Sequence, residues 1–237
     1  MAFLSQLKQG VSCRISMKDG WEQIGVFRHR VYPDYDEYVE RQSAKLESKE
    51  GWCRKVNQNN YICLLAVLRE AKVAKPGMSV LCLAARLGGE VRAYREMGCF
   101  AVGIDVNPGK DNGYVVNGDF HQQQFADSSI DLVYLNCVDH AQDPYQVFME
   151  IHRVLKPNGV FHFEIEKGYM EKSVDGAEVK MSDAFDCLEW AYRSDVVEEI
   201  KKVGFIVERY YEHPAAKAHP HGYIFRRIEA WPIIGRT

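Results

Sequence analysis

Runs typical of strands and runs typical of helices alternate along most of this 237-residue chain. Five apolar stretches are typical of buried strands, and they are residues 78–85, 100–106, 114–119, 130–138 and 159–166. Between them lie amphipathic stretches such as PYQVFMEIHRVLK, which has Pro144 near its first turn, where proline fits a helix. This alternation predicts a parallel sheet with helices on both faces, because parallel strands need a crossover connection between them.

The C-terminal part departs from the alternation. Residues 204–212 and 221–230 are two strand-like stretches in succession, which predicts a hairpin with one strand running against the others. We therefore expect a Rossmann-like α/β fold with a seven-stranded, mostly parallel sheet and one antiparallel strand in a C-terminal hairpin. Residues 57–237 are expected to form this domain, with a helical insert at residues 167–193, where the alternation stops.

Residues 1–56 differ in composition from the rest, being rich in aromatic and charged side chains. Within them, the stretch YDEYVERQSAKL places several semi-apolar side chains on one helical face; these are Tyr35, Tyr38, Val39, Gln42 and Leu46. Two interpretations stay open, a surface helix packed on the core and a lid over a ligand site. We treat residues 1–56 as an N-terminal cap or lid segment.

The overall balance of residues is that of an ordinary globular protein, with 46% hydrophobic and 27% charged residues and a formal net charge of -3. This balance indicates neither a nucleic-acid partner nor an acidic membrane surface. No run of about 18 apolar residues is present, so no membrane span is predicted. The N-terminal residues are too polar for a signal peptide.

The cysteine and histidine patterns argue against a disulfide framework and against a metal site. None of the seven cysteines lies at C-x-x-C spacing, which favours reduced thiols and a cytoplasmic location over a zinc site or a disulfide framework. Near the C-terminus, His213, His219 and His221 have no clear thiolate or carboxylate set beside them, so we expect no metal site. The oligomeric state is not predicted.

Polar residues follow the second and third predicted strands, at the edge where open α/β sheets bind ligands. Asp105 ends the second strand and precedes Val106; a carboxylate there can accept hydrogen bonds from both hydroxyls of a ribose. Asp119 and Phe120 follow the third, where the carboxylate can accept from an adenine amino group and the ring can border the base. Taken singly, each carboxylate is more simply interpreted as an ordinary loop or turn residue. Together they favour a site for an adenosine-type ligand.

The fourth predicted strand also ends in polar residues, namely Asn136, Asp139 and His140. An imidazole can take up a proton near neutral pH, so His140 is a candidate general base. Asp139 beside it either orients the ring or points to solvent. The alternative is a structural histidine that hydrogen-bonds backbone at the turn between strand and helix.

The stretch from Gly118 to Ile165 resembles the later motifs of the class I methyltransferases that use S-adenosylmethionine. The matching landmarks, GD, IDLV, DH and LKPNG, follow in that family's order and spacing. With the first two strands and their turns, the resemblance covers residues 57–166. It implies S-adenosylmethionine as the cofactor, with Asp105 and Val106 at the ribose, Asp119 and Phe120 at the adenine, and Asn136 under the methionine part.

The first turn, in VLCLAARLGG, departs from that family's pattern of an acidic residue, one intervening position and then Gly-x-Gly-x-Gly. Cys82 stands at the acidic place, which removes a partner of the cofactor's amino group, and Ala84 and Arg86 stand at the first two glycines. Alanine is tolerated there where φ is negative. The guanidinium must point away or bind the methionine carboxylate. We expect Ala84, Ala85, Arg86 and Gly88 to line a working but altered cofactor pocket.

These observations predict an S-adenosylmethionine-dependent methyltransferase that acts on an O or N atom of a small molecule, with His140 and Asp139 as candidate catalytic residues. The near-neutral charge and the aromatic segments able to roof a small pocket favour such an acceptor. A nicotinamide dehydrogenase would need a G-x-G-x-x-G turn, which AARLGG does not supply. The alternative is a non-catalytic binding or scaffold protein on the same fold, with a cofactor site weakened at Cys82 and Arg86.

Overall fold

The structure, a computed structural model, describes residues 15–17, 20–171, 185–212 and 221–228. The strands are β1 (Ile15–Met17), β2 (Trp21–Ile24), β3 (Phe27–Arg30), β4 (Ser79–Leu83), β5 (Phe100–Asp105), β6 (Val115–Asn117), β7 (Ile130–Leu135), β8 (Leu155–Ile165), β9 (Leu188–Trp190), β10 (Phe205–Glu212) and β11 (His221–Arg227). The helices are α1 (Tyr35–Ser48), α2 (Glu50–Ala71), α3 (Gly89–Glu96), α4 (Pro144–Val154) and α5 (Arg193–Lys202).

A seven-stranded sheet forms the centre of the fold, in the order β10-β11-β8-β7-β4-β5-β6. Strands β4, β5, β6, β7 and β8 pair in parallel, whereas β11 pairs antiparallel with both β8 and β10. Only β11 therefore runs against the other strands of this sheet. The predicted Rossmann-like fold, with one antiparallel strand in a C-terminal hairpin, is confirmed.

The crossover helices form where the sequence supplies an apolar face, in one case together with a side-chain cap. Helix α4 shows this most clearly: the Asp143 side chain accepts the backbone N–H of Gln146 at 3.0 Å, and Pro144 occupies the first turn. Its inner face is apolar and buried, and it consists of Val147, Phe148, Ile151 and Val154. Burying such a face against the sheet supplies most of the stability of a helix of this length.

A second, smaller sheet lies outside the main one, in the order β1-β2-β3-β9. Its last strand comes from the segment expected to be a helical insert, which is therefore wrong for residues 188–190. They pair with β3 because Leu188 and Trp190 bury their side chains in the main core. Residues 167–171, 185–187 and 191–192 are not helical either, and residues 172–184 lie outside the described residues.

The expected boundary at residue 56 is not a break in the structure, because α2 runs continuously through it from Glu50 to Ala71. The first half of α2 is polar, with buried Cys53 as an exception, so its helical periodicity is visible in the sequence only from Tyr61 onwards. The N-terminal segment and the α/β domain thus share a helix.

The sheet order places the ends of three strands together. β4 lies between β5 and β7: the chain passes from β4 to β5 and β6 on one side, and then crosses back to β7 on the other side. A crevice opens at such a switch point, outside the carboxyl ends of the strands. In the parts of the chain that the structure describes, every helix is too short or too polar to cross a membrane.

Candidate functional site

Two cavities adjoin at the carboxyl ends of β4, β5 and β7. The larger has a volume of about 260 Å³ and the smaller about 30 Å³, and Ala84, Arg86 and His140 line both. Helices α1 and α2 supply the opposite wall through side chains that include Lys45 and Asn60. The cavities are therefore enclosed jointly by the strand ends and by the N-terminal segment.

The loop after β4 keeps the backbone shape of a glycine-rich turn without all of its glycines. Ala84 has a φ of 47° and Arg86 a φ of 42°, in the left-handed region that strains side-chain-bearing residues by roughly 1 kcal/mol or more. The negative φ that would let alanine replace the first glycine without strain is therefore not what Ala84 adopts. Gly88, with a φ of 80°, is required, because a Cβ there would lie 2.5 Å from the Cβ of Tyr114.

The carboxylate of Asp105 organises this loop. One oxygen accepts the backbone N–H of Arg86 at 3.0 Å, and the other accepts that of Asn107 at 2.8 Å. Burial raises the pKa of Asp105, while the charge of Arg86 and these two hydrogen bonds oppose the rise. Val106 follows and lines the smaller cavity together with Asp105. The two residues assigned to the ribose thus face the site.

Asp119 is engaged by side chains of the protein. The hydroxyl of Tyr35, from α1, donates to one carboxylate oxygen, and Nδ1 of His121 lies 2.9 Å from the other. Burial raises the pKa of Asp119, but these donors outweigh it and hold the pKa below its usual value. Phe120 is buried and lines the smaller cavity. Of the two adenine candidates, Phe120 therefore lies at the site, whereas Asp119 lines neither cavity and has Tyr35 over its carboxylate.

Asn136 is buried at the end of β7 beside a carboxylate that the sequence analysis missed. Its side-chain amide donates at 3.4 Å to Oε1 of Glu90, which also accepts from the amide of Asn60 at 2.7 Å. Oε2 of Glu90 is buried and has no hydrogen-bond partner among the described residues. Burial raises the pKa of Glu90, although both amides and the charge of Arg86 oppose the rise.

His140 is held on both ring nitrogens. Its Nδ1–H donates to the carbonyl of Phe185 at 3.1 Å, and its Nε2 accepts from the ammonium of Lys45 at 2.7 Å. Burial and the charge of Lys45 lower the pKa of His140 to about 3. In this arrangement the lone pair that a general base would use is occupied by Lys45.

Two carboxylates surround His140. An oxygen of Asp139 lies 3.5 Å from its Nε2, and an oxygen of Asp186 lies 3.9 Å from its Nδ1. One donor atom from each of the three residues lies within 4.8 Å of the others, a spacing that metal sites share. The ammonium of Lys45 on the histidine nitrogen opposes a cation there, because it already takes the lone pair that a metal would need.

This region is similar to known proteins both in sequence and in fold. A family profile described as "Methyltransferase domain" matches residues 81–163. Sterol 24-C-methyltransferase of Schizosaccharomyces pombe is 33% identical over 154 residues, which are 55% of this chain and 40% of that protein. The 24-methylenesterol C-methyltransferase 2 of Arabidopsis thaliana is 30% identical over 171 residues, or 62% and 46% of the two chains.

Among solved structures, the 1,6-didemethyltoxoflavin-N1-methyltransferase of Burkholderia thailandensis, with bound 1,6-didemethyltoxoflavin and S-adenosylhomocysteine, aligns with a TM-score of 0.63. It is 16% identical, and the alignment covers 91% of this chain and 99% of that one. The chain is thus similar to S-adenosylmethionine-dependent methyltransferases in the sequence of residues 81–163 and in its fold. Since it spans less than half the length of the sterol methyltransferases it matches, their substrates do not transfer to it.

The cofactor of this methyltransferase family carries an adenosine and the ammonium and carboxylate of a methionine. Residues of the site fit those groups in kind: buried Asp105 and Phe120 lie at one end, and Arg86 and Glu90 bring opposite charges to the larger cavity. The buried oxygen of Glu90, which lacks a hydrogen-bond partner among the residues that the structure describes, is suited to a cationic group. The individual roles of these residues stay predictions.

Three residues of the site were missed because they lie on helices. Glu90 follows the glycine pair 88–89 at the start of α3, a place where an acidic residue is usually explained by the helix dipole. Asn60 lies in the polar half of α2. Lys45 lies seven residues after Tyr38, on the same face of α1, and this spacing is the one signal in the sequence that points it inward.

Proposed function

We propose that this protein is an enzyme that transfers a methyl group from S-adenosylmethionine to an O or N atom of a small polar molecule. The observation that supports this proposal best is the larger cavity, which opens at the strand ends and carries charged side chains from several elements: Lys45, Arg86, Glu90, Asp139, Glu166 and Asp186. Charged walls suit a polar acceptor that makes hydrogen bonds, because the apolar body of a sterol offers such walls no polar contacts.

The bound cofactor would supply an electrophilic methyl group on a sulfonium. The contribution of the protein is then mainly to hold the reacting atoms in line and to exclude water. Asp105 and Val106 would hold the ribose, Phe120 would pack on the adenine, and the loop of residues 84–88 with Asn136 would hold the methionine part.

An acceptor on O or N can also need a base. His140 and Asp139 are the candidates from the sequence, and the contacts of His140 with Lys45 and Phe185 favour the structural interpretation for the histidine. Asp139 lines the larger cavity, so an acceptor bound there would lie beside it. We therefore assign His140 the task of orienting Lys45, and leave Asp139 as the candidate base.

Binding and transfer test the proposal separately. Isothermal titration calorimetry should detect S-adenosylhomocysteine binding to the full chain, and ligand at a hundred times its Kd should raise the unfolding free energy by about 2.7 kcal/mol. A tritium-transfer screen should then label small metabolites and neither protein nor RNA. Absence of binding would identify a non-catalytic protein on this fold, and labelling of macromolecules alone would refute the small-molecule acceptor. The cytoplasmic location stays a prediction.

A further inference from the structure

We propose that Glu90 and Arg86 together recognise the zwitterionic end of the cofactor, with Glu90 binding its ammonium group and Arg86 its carboxylate. This inference rests on the proposed function, since it concerns the cofactor of that same site. It assigns to a helix residue the contact that the acid missing at Cys82 would otherwise make.

Glu90 has the geometry of a carboxylate prepared for a cation. Its Oε1 is fixed by the side-chain amides of Asn60, at 2.7 Å, and Asn136, at 3.4 Å. Its Oε2 is sheltered from solvent and has no partner among the described residues. A buried carboxylate oxygen left in this state costs free energy, and a bound ammonium group would remove that cost with a charge-assisted hydrogen bond.

The position of Glu90 is also held from outside α3. The backbone N–H of Gly89 donates to the side-chain oxygen of Asn57 at 2.6 Å, and Asn57 and Asn60 lie one turn apart on α2. This pair clamps the first turn of α3 against α2. The carboxylate of Glu90 is consequently directed into the cavity that Asn57, Asn60 and Asn136 also line.

Glu90 lies near the residue whose acid it would replace. Its charge contributes to raising the pKa of the Cys82 thiol, although burial is the larger cause. Cys82 is fully buried at the end of β4, where its side chain offers no charge to a ligand. At this corner of the site, the carboxylate is therefore carried by the helix that follows the strand, and not by the strand itself.

Arg86 provides the complementary charge. It lines the same cavity as Glu90, and its Nη1 lies 3.8 Å from the sulfur of Cys53 on α2, a weak contact that a ligand carboxylate could replace. A cation and a carboxylate on one cavity wall match a free amino acid moiety, which carries both charged groups on one carbon. Neither an uncharged nucleoside nor a diphosphate would use both.

A series of three ligands tests this assignment on the unmodified protein by calorimetry. S-adenosylhomocysteine has both charges, its decarboxylated analogue has only the ammonium, and 5′-methylthioadenosine has neither. We expect each charge to tighten binding at least tenfold, the gain typical of a charge-assisted hydrogen bond. If the decarboxylated analogue binds no more tightly than 5′-methylthioadenosine, Glu90 does not bind the ammonium.

Substitutions then assign each charge to its residue. Glu90→Gln should weaken S-adenosylhomocysteine and the decarboxylated analogue by at least tenfold and leave 5′-methylthioadenosine unchanged. Arg86→Leu should weaken only S-adenosylhomocysteine. Glu96→Gln, on the exposed end of the same helix, is the matched control and should change nothing. Equal losses for all three ligands in Glu90→Gln would mean a structural role and would overturn the assignment.

The same experiment distinguishes this inference from the proposed function. If 5′-methylthioadenosine and S-adenosylhomocysteine both fail to bind the unmodified protein, the cofactor site itself is wrong. If both bind, but with affinities that depend on neither Glu90 nor Arg86, the cofactor site stands and only the zwitterion assignment fails.

Discussion

The two halves of the site satisfy their charges in different ways. In the adenosine half, defined by Asp105, Asp119 and Phe120, both carboxylates are occupied by donors of the protein itself. In the methionine half, defined by Arg86, Glu90, Asn136, His140 and Lys45, charged side chains meet across a cavity, and one oxygen of the Glu90 carboxylate has no hydrogen-bond partner in the described parts of the chain. The carboxylates of the adenosine half are thus fixed by hydrogen bonds within the protein. The methionine half contains a carboxylate oxygen that a bound cation could pair with.

Asp105→Ala should have the largest effect, because it breaks the adenosine half at its centre. Two partly buried backbone N–H groups would lose their acceptor, which should lower the unfolding free energy by roughly 2–5 kcal/mol. The Kd for S-adenosylhomocysteine should rise at least tenfold. Urea unfolding and calorimetry measure the two effects. Asp105→Asn, which keeps an acceptor oxygen, is the matched variant and should lose less stability; unchanged affinity in both variants would refute the ribose assignment.

Glu164 is a buried carboxylate close enough to Glu90 of the methionine half for the two charges to interact. Burial raises its pKa to about 7, although the hydroxyls of Tyr134 and Tyr211 donate to it and oppose the rise. The folded protein therefore holds this proton more tightly than the unfolded chain does. The resulting stabilisation is complete below the ordinary pKa of 4.5 and is lost as the pH rises through about 7.

Glu164→Gln should remove this pH dependence. The difference in unfolding free energy between the variant and the unmodified protein should shift in favour of the variant by up to roughly 3 kcal/mol between pH 4.5 and pH 8. Urea unfolding of both proteins at intervals across that range measures it. His162 and Glu90 are present in both proteins, so their titrations cancel from the difference to first order. A difference that does not change with pH would contradict the raised pKa.

Much of the fold follows from local pattern, because buried parallel strands must be apolar and their crossovers amphipathic. β9 escaped that reasoning since three residues, LEW, are too few to show a period. α2 was placed too late because its first half packs few apolar side chains, among them Cys53.

The residues of the candidate site fall into two groups, those at strand ends, which the sequence predicted, and those on helices, which it did not. Asp105 and Asn136 were predictable because each is a polar residue that ends an apolar strand, and the sheet alone brings such ends together. Glu90 and Lys45 were not, since only the packing of α1, α2 and α3 decides which helix face lines the cavity. The positive φ of Ala84 was missed because local preference favours the opposite sign, and the fold overrides it.

Tyr35→Phe tests whether the hydroxyl of Tyr35 competes with the ligand for the carboxylate of Asp119. The Tyr35 hydroxyl donates to the carboxylate that is proposed to accept the adenine amino group. Removing it should free Asp119, and S-adenosylhomocysteine should bind two- to tenfold more tightly, the range of one net hydrogen bond. Calorimetry with Tyr32→Phe as the matched tyrosine control measures this. Weaker binding in Tyr35→Phe would mean instead that Tyr35 organises Asp119 for the ligand.

The smallest expected effect concerns the strain at the junction of the two halves. Ala84 holds a φ of 47°, which costs a side-chain-bearing residue roughly 1–2 kcal/mol, whereas glycine adopts it freely. Glycine also gains entropy in the unfolded chain, which offsets part of the benefit. Ala84→Gly should therefore raise the unfolding free energy by about 0.5–1 kcal/mol, detectable as a higher Tm. Ala85→Gly, at the neighbouring position without a positive φ, should lower it by a similar amount. If both variants lose stability equally, the left-handed conformation of Ala84 is not strained, and the loop tolerates its missing glycines at no cost.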